Sequence, residues 1–275
     1  MQSRVHPQAQ NGFSTSTSDF YDKVRPSYPP DALSFIRKAV GEKAELNVVE
    51  IACGTGLFTR ALLGHPEWSP FVKALRAIEP SEGMRSTFAK VVHDERVTLT
   101  EGTFDHTGVG DHWANVIVIA QAFHWCMDHQ AAMLEFARIL KPDGVVACIW
   151  NTEDRINVPW IGQLYDASAV YDVNRKIHTN DYQTRDVYKV SAYEEYFAEP
   201  VRETFSSVQH GTLESVTDRT MSWSPFAIQS AEEQKVARAN IQEILRRGDG
   251  MKWVDKEQGI FEHPYETLVI LMCRK

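Results

Sequence analysis

A short apolar segment of this 275-residue chain leads directly into a turn that contains two glycines. Residues 47–52 (NVVEIA) have the pattern of a buried strand, and Gly54 and Gly56 follow before a helical segment at 57–63. Glycine has no Cβ atom, so a ligand can approach the backbone closely at such a turn. Open α/β sheets bind ligands at the carboxyl ends of their strands. The turn therefore predicts a ligand site.

An acidic residue, Glu79, ends the second predicted strand (72–79), 23 residues after Gly56. A carboxylate in this position can accept hydrogen bonds from both ribose hydroxyls of an adenosine. Dinucleotide sites usually carry G-x-G-x-x-G or G-x-G-x-x-A, whereas the third small position here is Thr59. The pattern thus indicates an adenosine-containing ligand and disfavours NAD, although an NAD(P)-dependent oxidoreductase stays open as an alternative.

Several motifs together resemble one enzyme family. The segment 50–56 (EIACGTG) resembles the ExxCGxG signature of class I S-adenosylmethionine-dependent methyltransferases. The segments 79–84 (EPSEGM), 101–104 (EGTF) and 140–144 (LKPDG) follow in the family's order. The resemblance covers roughly residues 20–151 and the last predicted strand. It implies S-adenosylmethionine as the cofactor and S-adenosylhomocysteine as the product.

Two further segments narrow the resemblance to a branch. Residues 21–29 (YDKVRPSYP) and 120–125 (AQAFHW) resemble the ubiquinone-biosynthesis-like branch, which includes trans-aconitate methyltransferase. The branch also includes fungal small-molecule enzymes, and the chain resembles the fungal gliotoxin bis-thiomethyltransferases in size and in these motifs. The resemblance therefore implies a small-molecule acceptor and a place in secondary metabolism.

The resemblance also implies which residues bind the cofactor and the acceptor. The expected cofactor residues are Tyr21, Arg25, Glu50, Cys53, Gly54, Gly56, Glu79, Pro80, Met84, Thr103, Phe104, Gln121 and Ala122. The expected acceptor residues are Tyr28, Trp125, Trp150 and Asn151. The family often has Asp where Thr103 stands, so the adenine contact is expected from the backbone of Phe104.

Methyl transfer from a sulfonium is an in-line displacement, so most of the catalysis is positioning and exclusion of water. A base is needed only where the acceptor is protonated. His124 is the candidate catalytic base, because it follows the fourth predicted strand and has an ordinary pKa of about 6.5. The alternative is that His124 only packs beside Trp125.

The acceptor is expected to be neutral. Residues 151–200 are rich in tyrosine but contain only three scattered arginines, Arg155, Arg175 and Arg185. Carboxylates favour paired arginine forks. We therefore expect S-methylation of a thiol-bearing fungal metabolite. Carboxyl O-methylation of a small acid such as trans-aconitate is the alternative, and a non-catalytic cofactor-binding regulator is a further one.

Composition and charge set the remaining expectations. A net charge of −8 disfavours nucleic acid as a partner. The four cysteines are far apart and form no zinc motif, which fits reduced thiols in a cytoplasmic protein, and no metal is expected. No apolar run reaches membrane-spanning length. We expect a monomer or a weak homodimer.

The predicted elements alternate between strands and helices from residue 30 onward, which is typical of a parallel α/β sheet. We expect a Rossmann-like sheet of seven strands, the last antiparallel, with helices on both faces. Residues 1–18 are expected to form a disordered tail and 19–275 the methyltransferase domain. Lid segments are expected at about 152–200 and 211–250.

Overall fold

The structure, a computed structural model, describes residues 15–171 and 186–275 and is built around one mixed sheet. The strands are β1 (Leu46–Ile51), β2 (Val72–Ile78), β3 (Val97–Thr100), β4 (Ala114–Ala120), β5 (Leu140–Glu153), β6 (Val201–Gly211), β7 (Trp253–Asp255) and β8 (Ile260–Cys273). Their order is β3-β2-β1-β4-β5-β8-β6, with β7 beside β8. Strands β1 to β5 pair in parallel, whereas β8 is antiparallel to β5 and β6. The predicted seven-stranded sheet is confirmed, with the short β7 in addition.

The helices of the described parts begin at Thr15 and end at Arg247. They are α1 (Thr15–Val24), α2 (Pro30–Val40), α3 (Leu57–Gly64), α4 (Glu82–Val91), α5 (His129–Ile139), α6 (Pro159–Ala169), α7 (Ser191–Tyr196), α8 (Leu213–Met221), α9 (Ser224–Ala227) and α10 (Ala231–Arg247). The side chains of Ser81, Asp128 and Ser230 accept hydrogen bonds from the first turns of α4, α5 and α10, as their positions in the sequence predicted.

Helices cover both faces of the sheet. One face packs against α2, α3 and α4 through Leu33, Leu62 and Phe88, and the other packs against α5 and α7 through Phe136 and Ala192. Because both faces are covered, β4 is apolar and buried along nearly its whole length. The two cores hold the carboxyl ends of β1, β2 and β4 at one edge of the sheet.

A third apolar cluster lies apart from the sheet and joins α6, α8, α9 and α10. It contains Trp160, Val216, Phe226 and Ile241, and it rests on Phe261 of β8. These helices form a cap, which we call the lid cluster. They fall within the two segments predicted as lid, about 152–200 and 211–250.

Two predicted boundaries are wrong. Helix α7 and the preceding turn belong to the main core, because Val187 and Phe197 pack with α5, so residues 187–197 are not part of the lid cluster. The tail predicted for residues 1–18 ends earlier, because α1 begins at Thr15 and contacts α4. Residues 1–14 lie outside the described residues. No helix in the described ranges is long and apolar enough to span a membrane.

The turn after β1 yields a prediction about its two glycines. Both have positive φ, +57° at Gly54 and +83° at Gly56. A Cβ on Gly56 would lie 2.7 Å from Val92 Cγ2 and 2.9 Å from Phe88 Cδ2, whereas a Cβ on Gly54 would meet no heavy atom of the described residues within 4 Å, chain neighbours aside. Gly56→Ala should therefore destabilise the fold by about 1–3 kcal/mol more than Gly54→Ala, because only the former overpacks the core. Urea denaturation measures both values, and equal losses would contradict this account of Gly56.

Candidate active site

The turn after β1 opens a pocket above the ends of β1, β2 and β4. Ala52 and Gly54 adopt positive φ angles of +56° and +57°, which reverse the chain tightly after the strand. The space beside Gly54 is free of protein atoms among the described residues apart from its chain neighbours, whereas the missing Cβ of Gly56 accommodates α4. The two glycines thus serve different purposes. Gly54 leaves room for a ligand, and Gly56 allows the helix to pack.

Glu79 forms the acidic wall of this pocket. Its Oε2 accepts a hydrogen bond from the Gly54 N–H at 2.9 Å, and its Oε1 accepts one from the Ser81 N–H at 2.8 Å. Burial raises the pKa of Glu79 to about 7, against the lowering effect of these two backbone bonds. Each oxygen keeps a lone pair for another donor. The carboxylate can therefore accept two further hydroxyl groups from a ligand.

A second carboxyl group, Glu50, lines the same pocket from β1. Its Oε2 accepts a hydrogen bond from the Thr59 hydroxyl at 2.5 Å, but its buried Oε1 has no hydrogen-bond partner among the described residues. Burial raises the pKa of Glu50 to about 8, and the nearby Glu79 adds to the rise. An unsatisfied buried carboxyl oxygen is costly, so the pocket calls for a ligand that brings N–H or O–H donors.

The opposite wall comes from the loop after β4. Gln121 adopts a positive φ of +56°, and its Nε2 donates to the carbonyl oxygen of Asn151 at 2.7 Å. This bond ties the loop to β5, so Gln121, Ala122 and Trp125 face the glycine turn across the pocket. Phe104 closes the side near β3 and packs edge-on against Phe123. The result is an apolar cleft with two carboxyl groups at its base.

The comparisons with known proteins agree with this geometry. Residues 49–148 match the family described as a methyltransferase domain. An uncharacterized methyltransferase of Schizosaccharomyces pombe is 25% identical over 236 residues, which cover 85% of this chain and 87% of the relative. An uncharacterized methyltransferase of Mycobacterium tuberculosis is 28% identical over 144 residues, 52% of this chain and 54% of the relative. The chain thus spans about half the length of several curated relatives it matches.

The region that matches this family, residues 49–148 with the pocket around it, is called the methyltransferase domain below. The fold of the chain is shared with a protein of Anaeromyxobacter dehalogenans provisionally named a type II methyltransferase, at a TM-score of 0.62 and 17% identity over 90% of this chain and 97% of the other. It is also shared with phosphoethanolamine N-methyltransferase 2 of Haemonchus contortus, solved with S-adenosyl-L-methionine. The TM-score is 0.55 and the identity 13%, over 98% of this chain and 60% of the other.

The methyltransferase domain has donors and acceptors that fit its cofactor. S-adenosylmethionine carries two ribose hydroxyls and an amino group, and these are the donors that Glu79 and the unpartnered Oε1 of Glu50 can accept. The open space beside Gly54 admits a ligand close to the backbone. Thr59 stands at the position where NAD-binding sites usually have a third small residue, Gly or Ala. Its hydroxyl donates to Glu50 and holds that carboxyl group in place.

Most of the predicted site residues of the methyltransferase domain line one pocket. These are Tyr21, Tyr28, Glu50, Cys53, Gly54, Glu79, Pro80, Met84, Thr103, Phe104, Gln121, Ala122 and Trp125. Sequence reasoning missed Thr55 and Phe58, which also line it. Both lie in or just after the glycine motif, so their position was a usable signal. The Tyr28 ring packs edge-on against Phe58 at 5.2 Å, which fixes the N-terminal segment over the pocket.

Five predicted residues do not line this pocket. Gly56 faces α4, and Trp150 is buried in the core under the sheet. The Asn151 side chain is used within the fold, because it donates to Ser27 O and accepts from Thr267 Oγ1. Arg25 donates to Ser222 in α8's terminal turn. His124 is half-buried beside Trp125, with ring centroids 4.8 Å apart, outside the lining residues.

The methyltransferase domain should lose cofactor affinity when a carboxylate oxygen of Glu79, which accepts hydrogen bonds, is replaced. Glu79→Gln keeps the size but replaces one carboxylate oxygen with a donor, so S-adenosylhomocysteine binding should weaken by about 1–3 kcal/mol. Because hydroxyl donors favour the ionised form, binding should release protons near the pKa of about 7, and affinity should fall as the pH drops below it. Calorimetry in two buffers of different ionisation heat measures both effects.

Glu101→Gln is the matched control, because Glu101 is an exposed carboxylate that pairs with Arg85 outside the pocket. Its binding and proton release should equal those of the unmodified chain. Unchanged affinity in Glu79→Gln would remove Glu79 from the site.

Proposed function

We propose that this chain transfers the methyl group of S-adenosylmethionine to a small-molecule acceptor. The observation that carries the proposal is the pocket where Glu50 and Glu79 meet Gly54 at the ends of parallel strands. The match of residues 49–148 to a methyltransferase domain supports the activity and disfavours the NAD(P)-dependent oxidoreductase that the sequence left open. A regulator that binds the cofactor without transfer is the remaining rival, and the assay below separates the two.

Methyl transfer from the cofactor requires mainly that the protein position the cofactor and the acceptor. The bound cofactor supplies an electrophilic methyl group on its sulfonium. Glu79 and Gly54 would orient the cofactor, and Tyr21 and Tyr28, which line the pocket from the N-terminal segment, would cover it and exclude water. Gln121 and Trp125 form the wall across from them, where the acceptor must approach for an in-line displacement.

The acceptor atom proposed from the sequence is a thiol, with a small carboxylate as the second candidate. Two observations bear on this choice. His124 lies outside the pocket lining, which weakens the argument for a base near the acceptor. Two arginines also come from outside residues 151–200, because the half-buried Arg25 and the buried Arg219 lie on either side of Ser222 next to the lid cluster. The second observation favours an acidic acceptor. The cytoplasmic location, the lack of nucleic-acid partners and the monomeric or weakly dimeric state remain predictions.

The activity is tested by binding and turnover on the same protein. S-adenosylhomocysteine should bind stoichiometrically in calorimetry, and NADH should not bind. Tritiated methyl groups from S-adenosylmethionine should enter small molecules of a metabolite extract, which mass spectrometry then identifies. Binding of S-adenosylhomocysteine without any transfer would support the regulator instead, and binding of NADH alone would refute the proposal.

The contribution of His124 has its own pH signature. If His124 only packs against Trp125, His124→Ala should lower the rate by the same factor at every pH, and His124→Gln should restore part of it. If it removes a proton from a thiol, the loss should concentrate below the thiol pKa of about 8.5. The geometry predicts the pH-independent result. Methyl transfer measured from about pH 6 to 9 decides between them.

A further inference from the structure

A buried ion pair joins the lid cluster to the end of strand β5. Arg219 of α8 and Glu153 of β5 are 4% and 6% exposed, and Arg219 Nη2 lies 2.9 Å from Glu153 Oε1. The Tyr165 hydroxyl donates to the other carboxylate oxygen at 2.9 Å. Burial alone would raise the pKa of Glu153, but the Arg219 charge outweighs it and lowers that pKa. Glu153 is therefore ionised, although its buried Oε1 has no partner with hydrogen-bond geometry among the described residues.

A second arginine adds positive charge to the same place. Arg25 is held by Ser222, whose Oγ and carbonyl oxygen accept from Nε at 3.0 Å and from Nη2 at 2.9 Å. The Ser222 hydroxyl in turn donates to the Arg219 carbonyl oxygen at 2.6 Å, which links the two residues, and burial, followed by the charge of Arg219, lowers the pKa of Arg25. The neighbouring His263 is buried and its pKa falls to about 4, so it stays neutral. Two cations thus face one carboxylate.

The Arg219 guanidinium is not satisfied by the protein. The Tyr265 hydroxyl lies beside it, yet Nε and Nη1 have no partner with hydrogen-bond geometry among the described residues. Buried charged donors without partners are costly and rare in native proteins. The two free N–H groups, which lie on different edges of the guanidinium, and the excess positive charge together call for anionic oxygen acceptors.

This cationic cluster adjoins the cofactor pocket through one residue. The Arg25 guanidinium carbon lies 4.6 Å from the centre of the Tyr21 ring, and Tyr21 lines both the pocket and the cleft between α1 and the lid cluster. Ser222, which holds Arg25, lines that cleft as well. The cationic cluster therefore lies next to both the pocket and the cleft, through Tyr21 and Ser222.

We propose that Arg219, with Arg25 beside it, binds an anionic oxygen group of the methyl acceptor, so that the natural acceptor is a small organic acid. The inference rests on the proposed methyl transfer and leaves open which atom of the acid accepts the methyl group. A guanidinium is always charged, and its N–H groups make strong charge-assisted hydrogen bonds to carboxylate oxygens. Arg219 would then determine specificity, and the ion pair with Glu153 would hold its plane in position.

The test measures cofactor affinity and acid binding separately. The variants are Arg219→Gln, Arg219→Lys and the matched control Arg246→Gln, whose exposed guanidinium lies near Glu243 and Gln242 on α10. Arg219→Gln alone leaves the buried Glu153 carboxylate unpaired, which could impair folding. The double variant Arg219→Gln/Glu153→Gln removes both buried charges and so controls for that effect. The probes are hexanoate, succinate and tricarballylate with their uncharged amides, added to protein saturated with S-adenosylhomocysteine, and the readout is the melting temperature.

At least one acid, and not its amide, should raise the melting temperature of the unmodified complex and of Arg246→Gln. Arg219→Gln and the double variant should lose that rise, and Arg219→Lys should keep only part of it. S-adenosylhomocysteine affinity should stay within about twofold in all of them, because a lost charged hydrogen bond would instead cost about tenfold or more.

Three results would overturn the inference. They are the absence of any acid effect on the unmodified complex, an acid effect of equal size in Arg219→Gln, and a tenfold loss of S-adenosylhomocysteine affinity in that variant. The last would assign Arg219 to the cofactor. Failure of the unmodified chain to bind S-adenosylhomocysteine would instead refute the proposed function itself.

Discussion

Two carboxyl groups buried in one pocket are the constraint on which this site depends. Glu50 and Glu79 are 1% and 5% exposed, and an ionised carboxylate is tolerated at such depth only if donors surround it. The protein supplies some of these donors from the backbone of Gly54 and Ser81. Those bonds fix the glycine turn to the end of β2. Glu50 Oε1 has no hydrogen-bond donor among the described residues, and a bound ligand would supply one.

The antiparallel strand β8 organises the region beyond the pocket. Its pairing with β5 continues to Glu153, past the last residue that β5 shares with β4, Ile149. This extension places Asn151 opposite Thr267 and Glu153 opposite Tyr265, so polar side chains rise above the sheet under the lid cluster. Their burial is possible because each finds a partner across the strands or in the lid. Lid and sheet are thereby joined by polar contacts as well as by apolar packing.

The loop after β4 shows how local backbone geometry selects among adjacent side chains. Phe123, His124 and Trp125 form a single 3₁₀ turn. Successive residues of such a turn point about 120° apart, so they cannot all face one pocket. Phe123 enters the core, Trp125 lines the pocket and His124 lies outside the lining. The spacing of a motif therefore identifies the loop, but the turn decides which member of the motif meets the ligand.

The sequence by itself determined the sheet, the glycine turn and the acidic wall, because these depend on local patterns. An apolar strand such as 47–52, a turn glycine and a carboxylate at the end of the next strand are set by nearby residues and by the topology of parallel sheets. Helix caps at Ser81 and Ser230 were readable for the same reason. The sequence nevertheless predicted β8 only over residues 267–273. In the first half of this strand the buried residues Phe261, His263 and Tyr265 alternate with less buried ones, so no continuous apolar run marks it.

Only the tertiary structure decided how distant segments meet. Arg25 and Ser222 are 197 positions apart, and Arg219 of α8 pairs with Glu153 at the end of β5. No local sequence pattern therefore predicts the cationic cluster. The purpose of Gly56 also depends on α4, whose Phe88 and Val92 occupy the space of its missing Cβ. Such contacts arise from helix packing over a completed sheet. Their energies depend on burial and on unmatched charge, which exist only once the chain has folded.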